Sequence, residues 1–400
     1  MTNKKKMLSF TVGFLSLAVL GQFCQAQEEQ GFRYNNLSVS PYVNLEYTYD
    51  SNINYSDSGE VDDNIFGINP GLDLNYKGND WGLNGNIWFN HDYYHDNHDL
   101  NENSYGESVD LYWESPRGLS LILGQSYVNA DQSDSLTDGG DGIWRNRDQF
   151  DFTGALMYRF SEKTSATLNG SYTDLSYDNE TTKQYSQDLY GWKEYSVGLQ
   201  LARQMTAKSD FLISGSYQEY ESDGAQGGMN SSSIGYSLMA GVGSRATERI
   251  KYSILAGASM FDYAEGDVLT GFTYEANMSW ILSRKWALSL AGSSYYQPSE
   301  TEVNQAMQVY TMSSGLTYNM TRRLTTSLDL AYRREENEYD YGTSASSDSD
   351  DRYSSRFMAR YKLRKYVNLY AGLEYETQKS DEDVNEFDRF RGTLGVNLRY

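Results

Sequence analysis

The last stretch of the chain, Phe387 to Tyr400, reads FDRFRGTLGVNLRY. Phe390, Leu394, Val396, Leu398 and Tyr400 fall on one face of a strand, and Arg389, Arg391, Thr393, Asn397 and Arg399 fall on the other. A period of two marks a strand with one apolar and one polar face. In a soluble sheet at the chain end, the apolar face would meet water. In a barrel spanning a bacterial outer membrane that face meets lipid, and the polar face meets an aqueous lumen. The expected fold is all-β, a transmembrane antiparallel up-and-down β-barrel.

Working back from that strand, the same alternation recurs. Leu324, Leu328, Leu330 and Tyr332 oppose Ser327, Asp329, Ala331 and Arg333. Tyr353, Phe357, Ala359, Tyr361 and Leu363 oppose Arg352, Arg356, Arg360 and Lys362. Val367, Leu369, Ala371, Leu373 and Tyr375 oppose Asn368, Tyr370, Gly372, Glu374 and Glu376. Short, mostly basic turns fall near Gly78-Asn79, Pro116-Arg117, Ser161–Lys163, Thr206–Lys208, Thr247–Arg249, Ser283–Lys285, Thr321–Arg323 and Arg364-Lys365. Longer acidic loops lie between them, for example Ser51–Asp63, Asp96–Asn103, Asp131–Arg147, Ser222–Ser232, Glu336–Asp350 and Lys379–Glu386. Tight turns alternating with long loops are the outer-membrane pattern, with turns in the periplasm and loops outside. The count is about 18 strands, within a range of 16–18, with both termini on the periplasmic side. Most strands are longer than the roughly 9–11 residues a tilted membrane strand needs, so they are expected to project past the outer leaflet. A soluble sandwich or solenoid is the alternative fold, and it has no place to bury so many aromatic strand faces.

Composition agrees. The chain is strongly acidic yet holds 36 Tyr, 15 Phe and 7 Trp, an aromatic load that acidic disordered chains lack. In a barrel, lumen positions dilute the apolar ones and aromatics form the interfacial girdles. Four prolines in 400 residues suit long uninterrupted strands. Acidity argues against nucleic acid, whose phosphates need basic patches.

The N-terminus reads as a secretory leader. Lys4 to Lys6 are basic, Met7 to Leu20 is apolar but shorter than the roughly 20 residues of a membrane helix, and Cys24-Gln25-Ala26 supplies small residues at a cleavage site. The expected division is a signal peptide 1–26, a short periplasmic segment 27–36 and a barrel 37–400. Losing residues 1–26 removes three lysines and no acid, so the net charge of −22 becomes −25. Cys24 is the only cysteine, so the mature chain would hold no disulfide, zinc–cysteine site or thiol nucleophile. No GxSxG, HExxH, CxxC or phosphate loop is present. Neither an enzyme nor a cofactor is expected. His91, His95 and His98 invite a metal reading, but His91 and His95 lie about 13 Å apart on an extended strand. No metal site is expected there.

The pore-lining candidates are Arg352, Arg356, Arg360, Lys362, Glu374, Glu376, Arg389, Arg391, Arg399, Asp329 and Arg333. They form either a charged wall that biases passing solutes or a set of cross-strand pairs that solvates a wide lumen. A barrel of 16–18 strands leaves an aqueous channel unless something plugs it. The loop Asp131–Arg147, with Gly139, Gly140 and Gly142, is the expected plug. Loop carboxylates such as Asp57, Glu60, Asp62, Asp381, Glu382 and Asp383 are read as a solvated outer surface facing lipopolysaccharide. Met229–Gly243 and Ile254–Ser259, rich in Gly, Ala and Ser, are the expected contact if the barrel oligomerises.

The first strand and loop, LSVSPYVNLEYTYDSNINYSDSG from Leu37 to Gly59, carry the pattern Tyr49-Asp50-Ser51-Asn52-Ile53. This opening resembles that of outer-membrane β-barrel porin proteins, some of which accompany exopolysaccharide export systems. The final aromatic strand also resembles the signal read by the barrel assembly machinery, through Tyr400. The resemblance implies an outer-membrane channel that passes polysaccharide or other polar solutes. It also suggests lumen aromatics, Trp88, Tyr94, Tyr112 and Tyr370, as sugar-stacking positions. A closed structural barrel that works through its acidic loops is the other expectation.

Overall fold

The computed structural model describes residues 31–133, 144–178, 191–222, 231–244, 249–263, 268–298, 306–338, 347–381 and 386–400. Residues 1–30, with the expected leader, and the middle of the expected plug, residues 134–143, lie outside the described residues. The strands are β1 Phe32–Tyr34, β2 Leu37–Asp50, β3 Asp63–Lys77, β4 Trp81–Tyr94, β5 Glu102–Glu114, β6 Leu119–Ser133, β7 Trp144–Ser161, β8 Thr164–Asp178, β9 Trp192–Gln204 and β10 Ser209–Ser222. They continue as β11 Ser231–Ser244, β12 Ile250–Tyr263, β13 Leu269–Ile281, β14 Trp286–Pro298, β15 Ala306–Asn319, β16 Leu324–Glu338, β17 Ser347–Arg364, β18 Val367–Ser380 and β19 Phe387–Arg399.

From β2 onward each strand pairs antiparallel with its sequence neighbours, and β19 returns to β2 with Arg391 opposite Asp50 and Arg399 opposite Tyr42. The sheet closes into an 18-strand barrel, as the alternation of the sequence requires. The largest departures from the expected strand ends are at β7 and β17, which begin at Trp144 and Ser347 rather than Asp148 and Asp351. Cross-strand pairing continues there beyond the aromatic positions, into what the sequence reads as loop.

The short turns share one device. The hydroxyls of Ser115, Ser161, Thr206, Ser283 and Thr321 each accept a hydrogen bond from the backbone N–H two residues on, at 3.1 to 3.2 Å. A Ser or Thr that closes on its own backbone mimics a turn and fixes the hairpin register. In each case the backbone donor belongs to a Lys or Arg, whose side chain takes no part in this bond.

Outward positions are apolar and exposed: Leu394 is 61% exposed and Leu238 66%. Water would not tolerate that face; lipid does. Two aromatic belts bound it. At the turn end Tyr76 stacks on Trp81, Trp286 on Tyr318 and Tyr366 on Tyr400. At the loop end Tyr172 packs on Tyr195, Tyr217 on Tyr236 and Tyr332 on Tyr353. The strand β1, which the sequence pattern does not announce, pairs with Leu37–Val39 of β2, just past the end of β19, and Phe32 rests on Tyr400. It covers an edge that closure alone would leave bare.

Candidate functional site

Pairing places the two faces of every strand, so it also places the lumen. Opposed residues share a face. The charged candidates of β16 to β19 share the inward face, and most find partners. Glu374 holds two cations, accepting from Arg356 at 2.8 Å and from Arg391 at 2.6 Å. Arg352 donates to Gln378 at 2.9 Å, with Glu376 3.8 Å away. Arg333 is held by Glu335, and Arg399 reaches Asp73 on β3. Asp329 stands opposite Arg356, and Lys362 opposite Asn368. Arg360 is exposed, stands opposite Tyr370 and has no ion pair among the described residues.

At the seam where the barrel closes, a row of amides crosses four strands. Asn368 donates to Asn397 at 3.2 Å, Asn397 to Asn44, and Asn44 to Asn69 at 2.9 Å. All four are in register. A one-residue slip would turn each of them to the outer face, so the row helps to specify closure.

The opposite wall differs. On β8 to β12 many inward positions are small, Ser196, Gly198, Ser214, Ser216, Ser237 and Gly257 among them, beside the longer Gln200, Gln218, Met239 and Leu255. Ser171 and Ser196 share a hydrogen bond of 2.6 Å, and Ser216 and Ser237 one of 2.7 Å.

Two features crowd the loop end. The first is the connection from β2 to β3. Asp50 is 0% exposed and accepts from Arg389 Nε at 2.9 and 3.0 Å. Asn52, also 0% exposed, donates to the carbonyls of Ser56 at 2.8 Å and Asp388 at 2.9 Å. Asn52 Oδ1 also accepts the Ser56 N–H. Tyr55 lies under the Arg389 guanidinium and edge-on to Phe387. Burial raises the Tyr55 hydroxyl above its usual pKa, although the Arg389 charge opposes this. The motif of the family likeness thus contributes a buried acid and a buried amide that tie the loop to β19. The next connection is tied to Asp63. Its carboxylate accepts backbone N–H bonds from Asn64, His95, Asp96 and Asn97 at 2.7 to 3.0 Å. Burial would raise its pKa, but these bonds and the Asn97 side chain hold it below the usual carboxylate value.

The second feature is β14. Its ladder with β13 stops at Ser293, and beyond that Thr273 donates its hydroxyl to the Ser294 carbonyl at 2.7 Å. The end of β14 crosses the inner side of β13, where Tyr296 lies against Gly271 and stacks on Phe261. Tyr220, Phe261 and Tyr296 form a buried cluster, with Trp192 and Leu269 packed against it.

The aromatic candidates separate. Trp88, Tyr112 and Tyr370 lie over Gly106, Gly82 and Gly395, where a Cβ would collide with the ring. All three are on the inward face and half-buried. Tyr94 does not: it is 6% exposed and packs with Ile53 and Leu100, so it has no free face for a sugar. His91 hydrogen-bonds Asn103, and His98 bonds the Tyr94 carbonyl, so the histidines have separate partners. Asp50, Asn52, Tyr55 and Asp63 were not among the site residues expected from sequence. The signal for Asp50 was its parity, which places it on the lumen face with Arg389. An apolar groove on the outer face, lined by Leu290, Met312, Leu330, Tyr353 and Tyr375, belongs to the lipid-facing surface.

No curated protein sequence matches the chain. Solved structures of similar architecture include the outer membrane protein opdK of Pseudomonas aeruginosa, at 10% identity and TM-score 0.46, covering 91% of this chain and 99% of that one. The FrpB iron transporter of Neisseria meningitidis matches at 7% identity and TM-score 0.47, covering 90% and 81%. The siderophore receptor PirA of Pseudomonas aeruginosa matches at 7% identity and TM-score 0.44, covering 90% and 80%. The model of the family "Putative beta-barrel porin 2" matches residues 25–400, nearly the whole chain. This chain belongs to that outer-membrane barrel family.

Proposed function

We propose that the barrel is a channel for polar solutes, that saccharide is among what it passes, and that it catalyses nothing. The observation that carries this reading is the lumen itself. One wall is lined with charged groups and amides, and the other carries serines, glycines and glutamines among a few apolar side chains, so a hydrophilic path has donors and acceptors on both sides to guide a solute. In this reading residues 1–26 are removed as a leader, residues 27–36 and both termini face the periplasm, and Tyr400 is the contact for the assembly machinery. The acidic loops face lipopolysaccharide.

Single-channel recording on the barrel purified from outer membranes tests it. Steady conductance steps that oligosaccharides reduce are the expected result. No conductance from heat-modifiable, folded protein overturns it. A second reading, a barrel shut at rest, is favoured by the buried Tyr220–Phe261–Tyr296 cluster and by the tied first loop. It predicts that folded wild-type protein is silent while variants that free the loop conduct.

A further inference from the structure

We infer that one row of the charged wall is a subsite for an acidic sugar unit, a pyranose bearing a carboxylate. The row runs in register across five strands: Thr325 on β16, Arg360 on β17, Tyr370 on β18, Gly395 on β19 and Glu46 on β2. Gly395 is the pivot. Without a side chain it lets the Tyr370 ring lie flat across β19, and the Tyr370 hydroxyl reaches Glu46 at 2.8 Å. The result is an aromatic platform with a guanidinium at one edge and a carboxylate at the other.

This matches the chemistry of a uronate. The C–H face of a pyranose stacks on an aromatic ring. Its ring hydroxyls donate to a carboxylate such as Glu46. Its own carboxylate takes two parallel bonds from a guanidinium fork. Arg360 has that fork available. Arg333, Arg352, Arg356, Arg389, Arg391 and Arg399 are each held by an acid or an amide, whereas Arg360 is exposed and has no ion pair among the described residues. One step toward the turn end lies the amide row Asn368–Asn397–Asn44–Asn69, which offers further donors and acceptors to the next unit of a chain.

The inference rests on the channel reading, and the test separates the two. Binding of tetragalacturonate, maltotetraose and acetate to the detergent-solubilised barrel is measured by equilibrium dialysis, and channel block by the same compounds is recorded in bilayers. The expected result is that tetragalacturonate binds and blocks, with Arg360→Gln weakening it roughly tenfold, the loss of one charge-assisted pair. Maltotetraose should be unaffected by Arg360→Gln. Tyr370→Ala should weaken both sugars. Because Arg360 is exposed and has no ion pair among the described residues, Arg360→Gln keeps the fold and isolates the charge. Tetragalacturonate affinity unchanged in Arg360→Gln overturns the subsite, as does acetate competing equally well at equal concentration. Conductance without any sugar binding overturns the subsite and leaves the channel standing. Arg360-dependent binding without conductance supports the subsite and overturns the channel.

Discussion

The two walls of the lumen are built on opposite plans. From β16 through β19 to β4, inward side chains are long, and most are fixed by partners on other strands: Glu374 between Arg356 and Arg391, Arg399 on Asp73, and amides from Asn368 to Asn69. From β8 to β12 more of them are short, serines and glycines with a few hydroxyl pairs, set among Gln200, Gln218, Met239 and Leu255. The first wall specifies. Its bonds exist only in one register, and they lie where the first and last strands must find each other. The second wall makes space, since small side chains leave volume where arginines would fill it. Toward the loop end that space is taken up by the Tyr220–Phe261–Tyr296 cluster, and the groups that can recognise a solute lie on the first wall.

The largest effect that would break this comparison is at Asp50. Removing it by Asp50→Ala leaves the buried Arg389 without its acid, which costs about 3–5 kcal/mol when a buried pair is broken. The thermal transition of the SDS-resistant fold should fall. The freed first loop should raise single-channel conductance or its noise. An unchanged transition and unchanged conductance would mean that the loop is not held by this pair.

Glycines sharpen the comparison at smaller cost. On the small-residue wall a Cβ on Gly241 would run into the carbonyl of Ile254, which is backbone and cannot step aside. On the charged wall the nearest atoms to a Cβ on Gly395 belong to the Tyr370 side chain. Gly241→Ala should cost about 1–3 kcal/mol, the usual penalty of overpacking. Gly395→Ala should cost less, because the ring can swing into the lumen and the unfolded chain loses some entropy. Urea midpoints of refolding into detergent or vesicles give the order. Gly395→Ala being the more damaging would show that the platform stabilises the wall more than backbone spacing does.

The barrel, its strand number and its facing were legible because the signal is the period itself, repeated in nearly every strand. Phe390 and Arg389 need no tertiary information to be assigned to opposite faces. The charged candidates were legible as inward residues for the same reason. Their pairing was not, because Glu374 meets Arg391 only once β18 and β19 are in register, and register depends on turns and loops. The inward fold of the first loop was harder still. Asn52 works by bonding carbonyls of Ser56 and Asp388, and the second of these is 336 positions away in sequence. The bend of β14 over β13 had no sequence signal, since Tyr296 keeps the parity of a lipid-facing residue and is buried only because the strand leaves the ladder.

The smallest effect concerns that bend. Glu194 lies on the loop side of the belt residue Tyr195, inward, in one row with Thr173 and Tyr220. Burial raises its pKa to about 7, Asp151 on β7 adds to this, and the Tyr220 hydroxyl opposes it. Tyr295 on β14 faces the same cluster and is in turn flanked by Arg333 and Glu335 on β16. An acid with a raised native pKa binds its proton more tightly folded than unfolded, so its contribution is complete below the ordinary glutamate value of about 4.3. That contribution declines as pH rises and is gone above about 7. Hydrogen exchange at the Tyr220 and Phe261 amides should therefore quicken between those limits, beyond the intrinsic rise of exchange with pH, and Glu194→Gln should remove the excess. An excess that persists in Glu194→Gln assigns the sensitivity to another group, and its absence in the wild type means that β14 is held by apolar packing alone. On the charged wall the same measurement at the amides around Arg391 should show no such excess in this range, because its carboxylates already lie against cations.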